Sequence, residues 1–309
     1  MDAELNLTQL RSSIIKALAY YDIFSYPLTA EEIYYNLGNN HTSIDEVVKE
    51  LNILETNHLI YSREKFFLLK DDENYIVRRK KGNDLAIKKI ITAKKVSNLI
   101  SRFPFIRGVL LSGSISKGFM ENDSDIDYFI ITHPNRVWFS RLMLMLFKKI
   151  FLLNSKKIFC INYFIDSENL EIQEKNIFTA TEIVTLIPTF GKNIYNEFCI
   201  KNLWVREFYP NFPKRETNTI IERRNGKIKS LFENILSRKI GNKIDDFAMK
   251  LFDRFNRTKY KNYDNEEFKL AFKSTKKISK HHPKFFQKKV LAEFENKIKS
   301  LEDKLKISL

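Results

Sequence analysis

The chain contains only two cysteines, Cys160 and Cys199, among its 309 residues. Two cysteines cannot form the disulfide framework of a small secreted protein, and no Cys/His spacing resembles a zinc site. The most apolar segment, residues 137–153, is interrupted by one arginine and two lysines, so it falls short of a membrane span. The first residues lack the basic segment and apolar run of a signal peptide. We therefore expect a cytoplasmic protein with no membrane partner.

The positive charge of the chain is concentrated in its last third. The formal net charge is +15, and residues 214–309 contribute 26 Lys and Arg against 13 Asp and Glu. A basic region of this kind can bind nucleic acid through counterion release. A lysine-rich, solvated helical surface gives the same pattern and is the favoured interpretation.

Residues 8–70 have the sequence pattern of a winged helix, with three helices followed by a hairpin. Two capping boxes, Thr29–Glu32 and Ser43–Glu46, predict where the second and third helices begin. The segment LIYSREKFFLLK (59–70) predicts the hairpin. Residues 83–101 then form a predicted connecting helix.

The third helix is the one that would read DNA bases in such a fold. Its polar residues are more acidic than basic, which disfavours contact with phosphates. Arg63 and Lys65 in the hairpin and the RRKK segment at 78–81 are the nearby basic residues. The pattern favours a packing or protein-contact role over DNA reading.

Two aspartates separated by one residue, Asp125 and Asp127, begin a predicted strand at 126–132. Because side chains alternate across a strand, both carboxylates should project from one face while Ile126 enters the core. Two carboxylates on one face can bind or bridge divalent cations such as Mg²⁺, which neutralise nucleotide phosphates.

An apolar strand over 106–112 leads into Gly113 and Ser114, and ten residues separate Ser114 from Asp125. Gly113 lets the main chain approach a phosphate without an intervening Cβ atom. Ser114 is expected at a helix N-terminus, where free N–H groups favour an anion. Lys117, one turn further on, can contact the same phosphates.

The Gly-Ser pair, the ten-residue interval and the Asp-x-Asp strand together resemble the nucleotidyltransferase superfamily with a DNA polymerase β type palm. The Ser-Asp-Ile-Asp form is similar to small bacterial and archaeal nucleotidyltransferases, including aminoglycoside nucleotidyltransferases. The resemblance implies transfer of a nucleoside monophosphate from an NTP to a hydroxyl, with release of pyrophosphate. By that resemblance Gly113 and Ser114 hold the triphosphate, while Asp125 and Asp127 bind two Mg²⁺ or Mn²⁺ ions.

The family pattern also has a third carboxylate on a later strand. In the strand predicted at 157–166, Asn162 lies in the middle and Asp166 at the end, and alternation places both on one face. An asparagine can ligate Mg²⁺ but cannot accept a proton from a hydroxyl. Three alternatives stay open: Asp166 is the catalytic third carboxylate, Glu168 or Glu182 reaches in as the base, or the site binds nucleotide with weak catalysis.

The expected fold is mixed α/β (α+β), with a winged-helix-like domain at 1–75 and a nucleotidyltransferase palm at 76–190. A basic helical region at 191–309, part of a helical pattern from Thr179 onward, would cover the cleft and hold the acceptor. The expected function is a Mg²⁺-dependent nucleotidyltransferase acting on a hydroxyl of a small molecule or protein. The alternative is a catalytically weak nucleotide-sensing or DNA-binding regulator. The acceptor, the NTP (ATP among them) and the oligomeric state stay open.

Overall fold

The computed structural model describes residues 8–38, 42–153, 157–218, 220–222, 226–281, 285–305 and 309. Within these ranges the chain is mixed α/β, which confirms the expected fold class. The α-helices are α1 (Gln9–Asp22), α2 (Ala30–Tyr35), α3 (Ile44–Thr56), α4 (Glu73–Ile100), α5 (Val137–Phe151), α6 (Ile177–Thr185), α7 (Lys192–Lys201), α8 (Val205–Phe208), α9 (Lys227–Leu236), α10 (Lys239–Lys259), α11 (Asn265–Ala271) and α12 (Phe286–Leu305). The strands are β1 (Tyr61–Arg63), β2 (Phe66–Leu68), β3 (Ile106–Ser112), β4 (Asp127–Thr132), β5 (Cys160–Asp166), β6 (Ile187–Phe190) and β7 (Ile278–Lys280).

The N-terminal unit consists of α1, α2, α3 and the β1–β2 hairpin, in the predicted order. Both predicted capping boxes are formed, at Thr29–Glu32 and at Ser43–Glu46. The helices enclose a small apolar core of their own, and the last helix of the chain, α12, packs against it through Val290, which is buried. The N-terminal core is therefore completed by residues near the C-terminus.

Helix α4 begins ten residues earlier than the predicted connecting helix. Asp72 caps it by accepting a hydrogen bond from the backbone N–H of Asn74, so the RRKK segment is helical. Arg79 in that segment is buried, pairs with Glu32 at 2.6 Å and donates to the carbonyl oxygen of Pro27. A buried cation of this kind is tolerated because it is paired and hydrogen bonded, and it joins α4 to the N-terminal unit.

A five-stranded mixed sheet in the order β6-β3-β4-β5-β7 forms the centre of the molecule. Strands β4 and β5 are parallel, and the other neighbouring pairs are antiparallel. The expected pattern after Thr179, helical with a break at Pro188, missed β6 and β7, which form the two sheet edges. Pro188 interrupts a helical pattern but is compatible with an edge strand, where a backbone N–H need not be donated.

Helices cover both faces of this sheet. The helices α4, α5 and α10 pack on one face, around buried residues that include Tyr128, Ile130 and Trp138. The helices α6 and α7 lie over the other face, against Phe129 and Ile131. In the described part of the chain, every helix is too short or too polar to traverse a lipid bilayer.

Candidate nucleotide and metal site

The pairing of β3 with β4 brings the Gly-Ser segment to the Asp-x-Asp segment. Ser112 is opposite Asp127 in the antiparallel register, so Gly113 leaves β3 where β4 begins. Gly113 has φ +69° and ψ −151°, a backbone region that is essentially restricted to glycine. A Cβ atom at this position would lie 2.5 Å from Oδ2 of Asp127. The Asp127 carboxylate therefore sits directly against the main chain at Gly113.

The segment after Gly113 is a 3₁₀ turn of four residues, Ser114–Lys117, and not an α-helix. Ser114 does begin a short helix, but the helix is of 3₁₀ type and has four residues, so an argument from a helix macrodipole does not apply to it. What the turn offers a phosphate is its backbone N–H groups and the half-buried side chains of Ser114 and Lys117.

The two aspartates of the motif lie close together at the start of β4. Ile126 between them is buried, as alternation predicts, and both aspartates are half-buried. Burial raises the pKa of Asp127 to about 6, and the negative charges of Asp125 and Glu182 add to this rise. A hydrogen bond from Cys160 and the charge of Lys117 oppose it. A cation bound beside Asp127 would therefore stabilise the charged form of its carboxylate, which burial and the neighbouring carboxylates disfavour.

Strand β5 adds Cys160 and Asn162 beside Asp127. Cys160 is opposite Asp127 in the parallel register. The Asn162 side-chain amide donates to Oδ1 of Asp127 at 3.2 Å and lies 3.0 Å from Sγ of Cys160. Burial, together with the nearby Asp127, raises the pKa of the Cys160 thiol to about 12, so the thiol stays protonated. Asn162 thus occupies the mid-strand position that the sequence indicated, and it binds the carboxylate directly.

The structure does not bring Asp166 to this site. The register of β5 against β4 shifts between Tyr128 and Phe129, which leaves Asn162 as a bulge and reverses the alternation beyond it. Asp166 is therefore not on the face of Asn162, and six residues of strand place it about 20 Å from Cys160 along β5. Its buried carboxylate accepts hydrogen bonds from the Glu168 backbone N–H and the Asn169 side chain. Asp166 caps the turn after β5, and Glu168 lies in that same turn.

Glu182 on α6 is the third carboxylate near Asp127. Its Oε1 lies 2.7 Å from Nζ of Lys117, and Lys117 also donates to the carbonyl oxygen of Gly113 at 3.2 Å. Because Gly113 lies directly against Asp127, these contacts place Glu182 near Asp127, and the charge of Glu182 contributes to the raised pKa of Asp127. Of the alternatives open from sequence, Glu182 is near Asp127, whereas Asp166 and Glu168 are not.

Three residues that the sequence did not single out donate hydrogen bonds to backbone carbonyls of the turn after Gly113. Asn83 on α4 donates to the Gly118 carbonyl at 2.5 Å, and the Tyr26 hydroxyl lies 3.4 Å from the Lys117 carbonyl. Arg215 donates to the carbonyl of Ser116 at 3.3 Å. These contacts come from three distant parts of the chain, so no local sequence pattern could have identified them.

The donor set suits a magnesium ion that arrives with a nucleotide. No cluster of three or more His, Cys, Asp and Glu side chains placed to hold a metal ion exists among the described residues. Mg²⁺ commonly binds through one or two carboxylates, substrate phosphates and water, so Asp125 and Asp127 are chemically sufficient for such a site. The Gly113 main chain leaves room for the Asp127 carboxylate at the mouth of the turn.

Comparison of the chain with family models, curated proteins and solved structures finds no match. The function is therefore inferred from the sequence motif and the geometry of the site.

The close approach of Gly113 to Asp127 predicts a specific cost of substitution. Gly113→Ala would force a non-glycine residue into a strained backbone region and press its Cβ atom on the carboxylate, so we expect a loss of about 2–4 kcal/mol in the free energy of unfolding. Gly118 also has a positive φ, +70°, but a Cβ atom there would meet only Nδ2 of Asn83, at 4.0 Å. Gly118→Ala should therefore cost only about 1–2 kcal/mol. Urea denaturation of both variants measures the difference, and equal costs would contradict the assigned geometry.

The raised pKa of Asp127 predicts a pH-dependent effect on stability. Its folded pKa of about 6 exceeds the unfolded value, so its contribution to stability is complete below about pH 4 and is lost as the pH rises through 6. Asp127→Asn should therefore stabilise the ligand-free protein by about 1–3 kcal/mol at pH 7.5 and have little effect at pH 4.

Thermal and urea unfolding across this pH range test the effect. Burial also raises the pKa of Asp245 to about 6, so only the difference between wild type and variant isolates Asp127. Asp123→Asn, at an exposed position in the same loop, should give a flat difference. A flat difference for Asp127→Asn as well would show that the Asp127 carboxylate is not destabilised in the fold.

Proposed function

We propose that this protein is a Mg²⁺-dependent nucleotidyltransferase that transfers a nucleoside monophosphate from an NTP to an acceptor hydroxyl. The observation that carries the proposal is the meeting of Gly113 with Asp127 at the ends of two paired strands. It supports the resemblance to the polymerase β type palm, because it joins a phosphate-accessible main chain to a pair of carboxylates. The acceptor is a hydroxyl of a small molecule or a protein.

Each residue of the site then has a defined part. Asp125 and Asp127 would hold the magnesium ions, which when bound neutralise the phosphate charge and favour in-line displacement. Backbone N–H groups at Gly113 and Ser114 orient the triphosphate. The acceptor oxygen attacks the α-phosphorus, the bond from that phosphorus to the bridging oxygen breaks, and pyrophosphate leaves. Asn162 fixes the orientation of Asp127 by its hydrogen bond to Oδ1.

The ion pair between Lys117 and Glu182 suggests how the site prepares for reaction. In the ligand-free chain Lys117 is bound to Glu182 and to the Gly113 carbonyl. A triphosphate at Gly113 would offer Lys117 a stronger partner, because charge-assisted bonds to phosphate oxygens are short and strong. Glu182 would then be free to accept the proton of the acceptor hydroxyl. The pair therefore couples nucleotide binding to the availability of a base.

The alternative of a DNA-binding regulator finds less support in the geometry. Arg63, one of two basic residues in the β1–β2 hairpin, is engaged by Asp71 at 2.5 Å. Exposed polar residues of α3 include Asp45 and Glu46 in its first turn. Phosphate contact would have to displace the Arg63 pair and approach an acidic helix start.

Titration of the protein with each of the four NTPs, with and without Mg²⁺, tests the proposal. We expect one or more NTPs to raise the unfolding temperature in a Mg²⁺-dependent manner, because a ligand that binds only the folded state stabilises it. Asp125→Asn and Asp127→Asn should each weaken this binding at least about tenfold. Each variant is compared with its own ligand-free midpoint, since Asp127→Asn also changes stability.

The matched control is Asp123→Asn, which removes a carboxylate from the same loop and should leave the affinity unchanged. A second measurement follows the label of α-³²P-NTP and of γ-³²P-NTP into acceptors from a cell extract. Nucleotidyl transfer places only the α label on the acceptor. Unchanged Mg²⁺–NTP affinity in both aspartate variants, or transfer of the γ label alone, would reject the proposal.

Opposite effects are expected from the two members of the Lys117–Glu182 pair. Lys117→Met should weaken Mg²⁺–NTP binding about tenfold, because it removes a cation from the phosphates. Glu182→Gln should tighten binding by a factor of about two to ten, because it releases Lys117 and removes a negative charge, and it should abolish transfer of the α label. Calorimetry and label transfer measure the two effects. Weaker binding in Glu182→Gln would contradict the exchange of partners.

A further inference from the structure

Helix α10 is packed the opposite way from an ordinary surface helix. The face it turns inward carries Gly241, Asp245, Ala248 and Asn256, all of them buried. The inward face also packs Phe252 against the core, but most of the large apolar residues of α10 lie on the neighbouring, solvent-exposed face at a spacing of three to four residues. They are Ile240, Phe247, Leu251 and Phe255, with Ile244 half-exposed between them. Phe247 and Phe255 retain 64% and 60% of their surface, so no residue that the structure describes covers the apolar stripe of this amphipathic helix.

Helix α9, which contacts α10, shows the same inversion. Lys229 is buried and donates to the carbonyls of Ser101 and Ile106, while Glu233 binds Arg107 at 2.9 Å. Most of the outward residues of the helix are apolar. They are Ile228, Leu231, Phe232 and Ile235, beside the exposed Lys227 and Asn234. Helix α9 thus holds to the body of the protein through polar contacts, whereas α10 also packs Ala248 and Phe252 against the core, and both helices present apolar residues to the surroundings.

The exposed apolar surface of these two helices is larger than solubility alone would tolerate. Eight Ile, Leu and Phe residues that are 46–75% exposed together present an area on the order of several hundred Å². Patches of this size on single-chain proteins mark interaction sites. The structure describes every residue from Lys227 to Lys259, so no part of α9 or α10 covers these apolar side chains.

The charges beside the stripe are almost entirely positive. From Lys227 to Lys259 eight Lys and Arg side chains are exposed. The two carboxylates that lie outside the buried face are both engaged, Asp246 by Lys276 and Asp253 by Arg257, each at 3.0 Å. The cations nearest the stripe lie at positions −4, +3 and +7 from Phe247. They are Lys243, Lys250 and Arg254. Such spacing places them along one edge of the apolar stripe.

We propose that α9 and α10 form a docking surface for an anionic lipid membrane. A strong amphipathic helix with aromatic and aliphatic residues on one face and flanking Lys and Arg is the composition that lies in the headgroup region of a bilayer. The flexible cationic side chains can reach the headgroups while the apolar residues enter the acyl boundary. A second copy of the chain fits less well, because it would bring eight exposed cations against eight. Surface docking of this kind requires no membrane-spanning helix, but it departs from the expectation, drawn from the sequence, of a protein with no membrane partner.

Co-sedimentation of the full chain with vesicles tests this proposal. We expect binding to vesicles of phosphatidylcholine with about 30% phosphatidylglycerol, little binding to phosphatidylcholine alone, and a decrease as the salt concentration rises from about 0.1 M to about 0.5 M. A stripe variant, Phe247→Ser with Leu251→Ser and Phe255→Ser, should bind at least about tenfold more weakly. A charge variant, with Gln at positions 243, 250 and 254, should lose a similar factor.

Two control variants remove comparable groups from α4. Ile87→Ser with Ile91→Ser replaces apolar residues of similar exposure, and Lys88→Gln with Lys94→Gln and Lys95→Gln removes three exposed charges. Both controls should bind like wild type. Circular dichroism verifies that every variant is folded.

Absence of binding to anionic vesicles, equal binding to neutral vesicles, or equal loss in the α4 controls would overturn the proposal. Light scattering of the wild type and the stripe variant distinguishes a membrane surface from a dimer interface. A dimer that becomes monomeric in the stripe variant would assign the stripe to a second copy of the chain, and would likewise overturn the lipid surface.

Discussion

The candidate site depends on the register between β3 and β4 and on the single glycine that follows β3. Because Ser112 is opposite Asp127, the chain must turn away at Gly113 with a left-handed φ directly beside the carboxylate. The other side chains of the site are positioned around Gly113 and Asp127. The parallel strand β5 supplies Asn162, and α6 supplies Glu182 through Lys117. Because glycine has no Cβ atom, the Asp127 carboxylate and the phosphate-facing main chain can lie at the same corner of the sheet.

Local chemistry predicted the parts of the fold that depend on neighbouring residues. Capping boxes gave the starts of α2 and α3, and the apolar runs gave β3, β4 and β5. The edge strands β6 and β7 are short and are stabilised by distant partners, so their own sequences contain no distinguishing period. Asp166 was misplaced for a similar reason, because a single bulge at Asn162 reverses the alternation on which its assignment relied. Glu182 was a candidate only by residue type, and its position depends on how α6 packs.

The charge of the molecule is divided between two different environments. The site gathers Asp125, Asp127 and Glu182 around one lysine, so it is acidic within a chain of net charge +15. A triphosphate would be repelled from such a site unless cations accompanied it, which agrees with a metal-dependent reaction. Eight exposed Lys and Arg residues lie instead between Lys227 and Lys259, on and beside α9 and α10. The basic last third of the sequence is thus associated with an external surface and not with the three carboxylates.

The packing of α12 against α1 has a consequence for the order of events during synthesis. The core of the N-terminal unit includes Val290, with Phe294 and Leu301 packed against it. These residues leave the ribosome long after the first three helices. Those helices can form early from their own caps, but their outer face stays without its cover until α12 has been made. Native contacts between segments so distant in sequence also carry a loop-closure cost. The docking of α12 is therefore expected to be a late step, which ties completion of the first unit to the synthesis of α12.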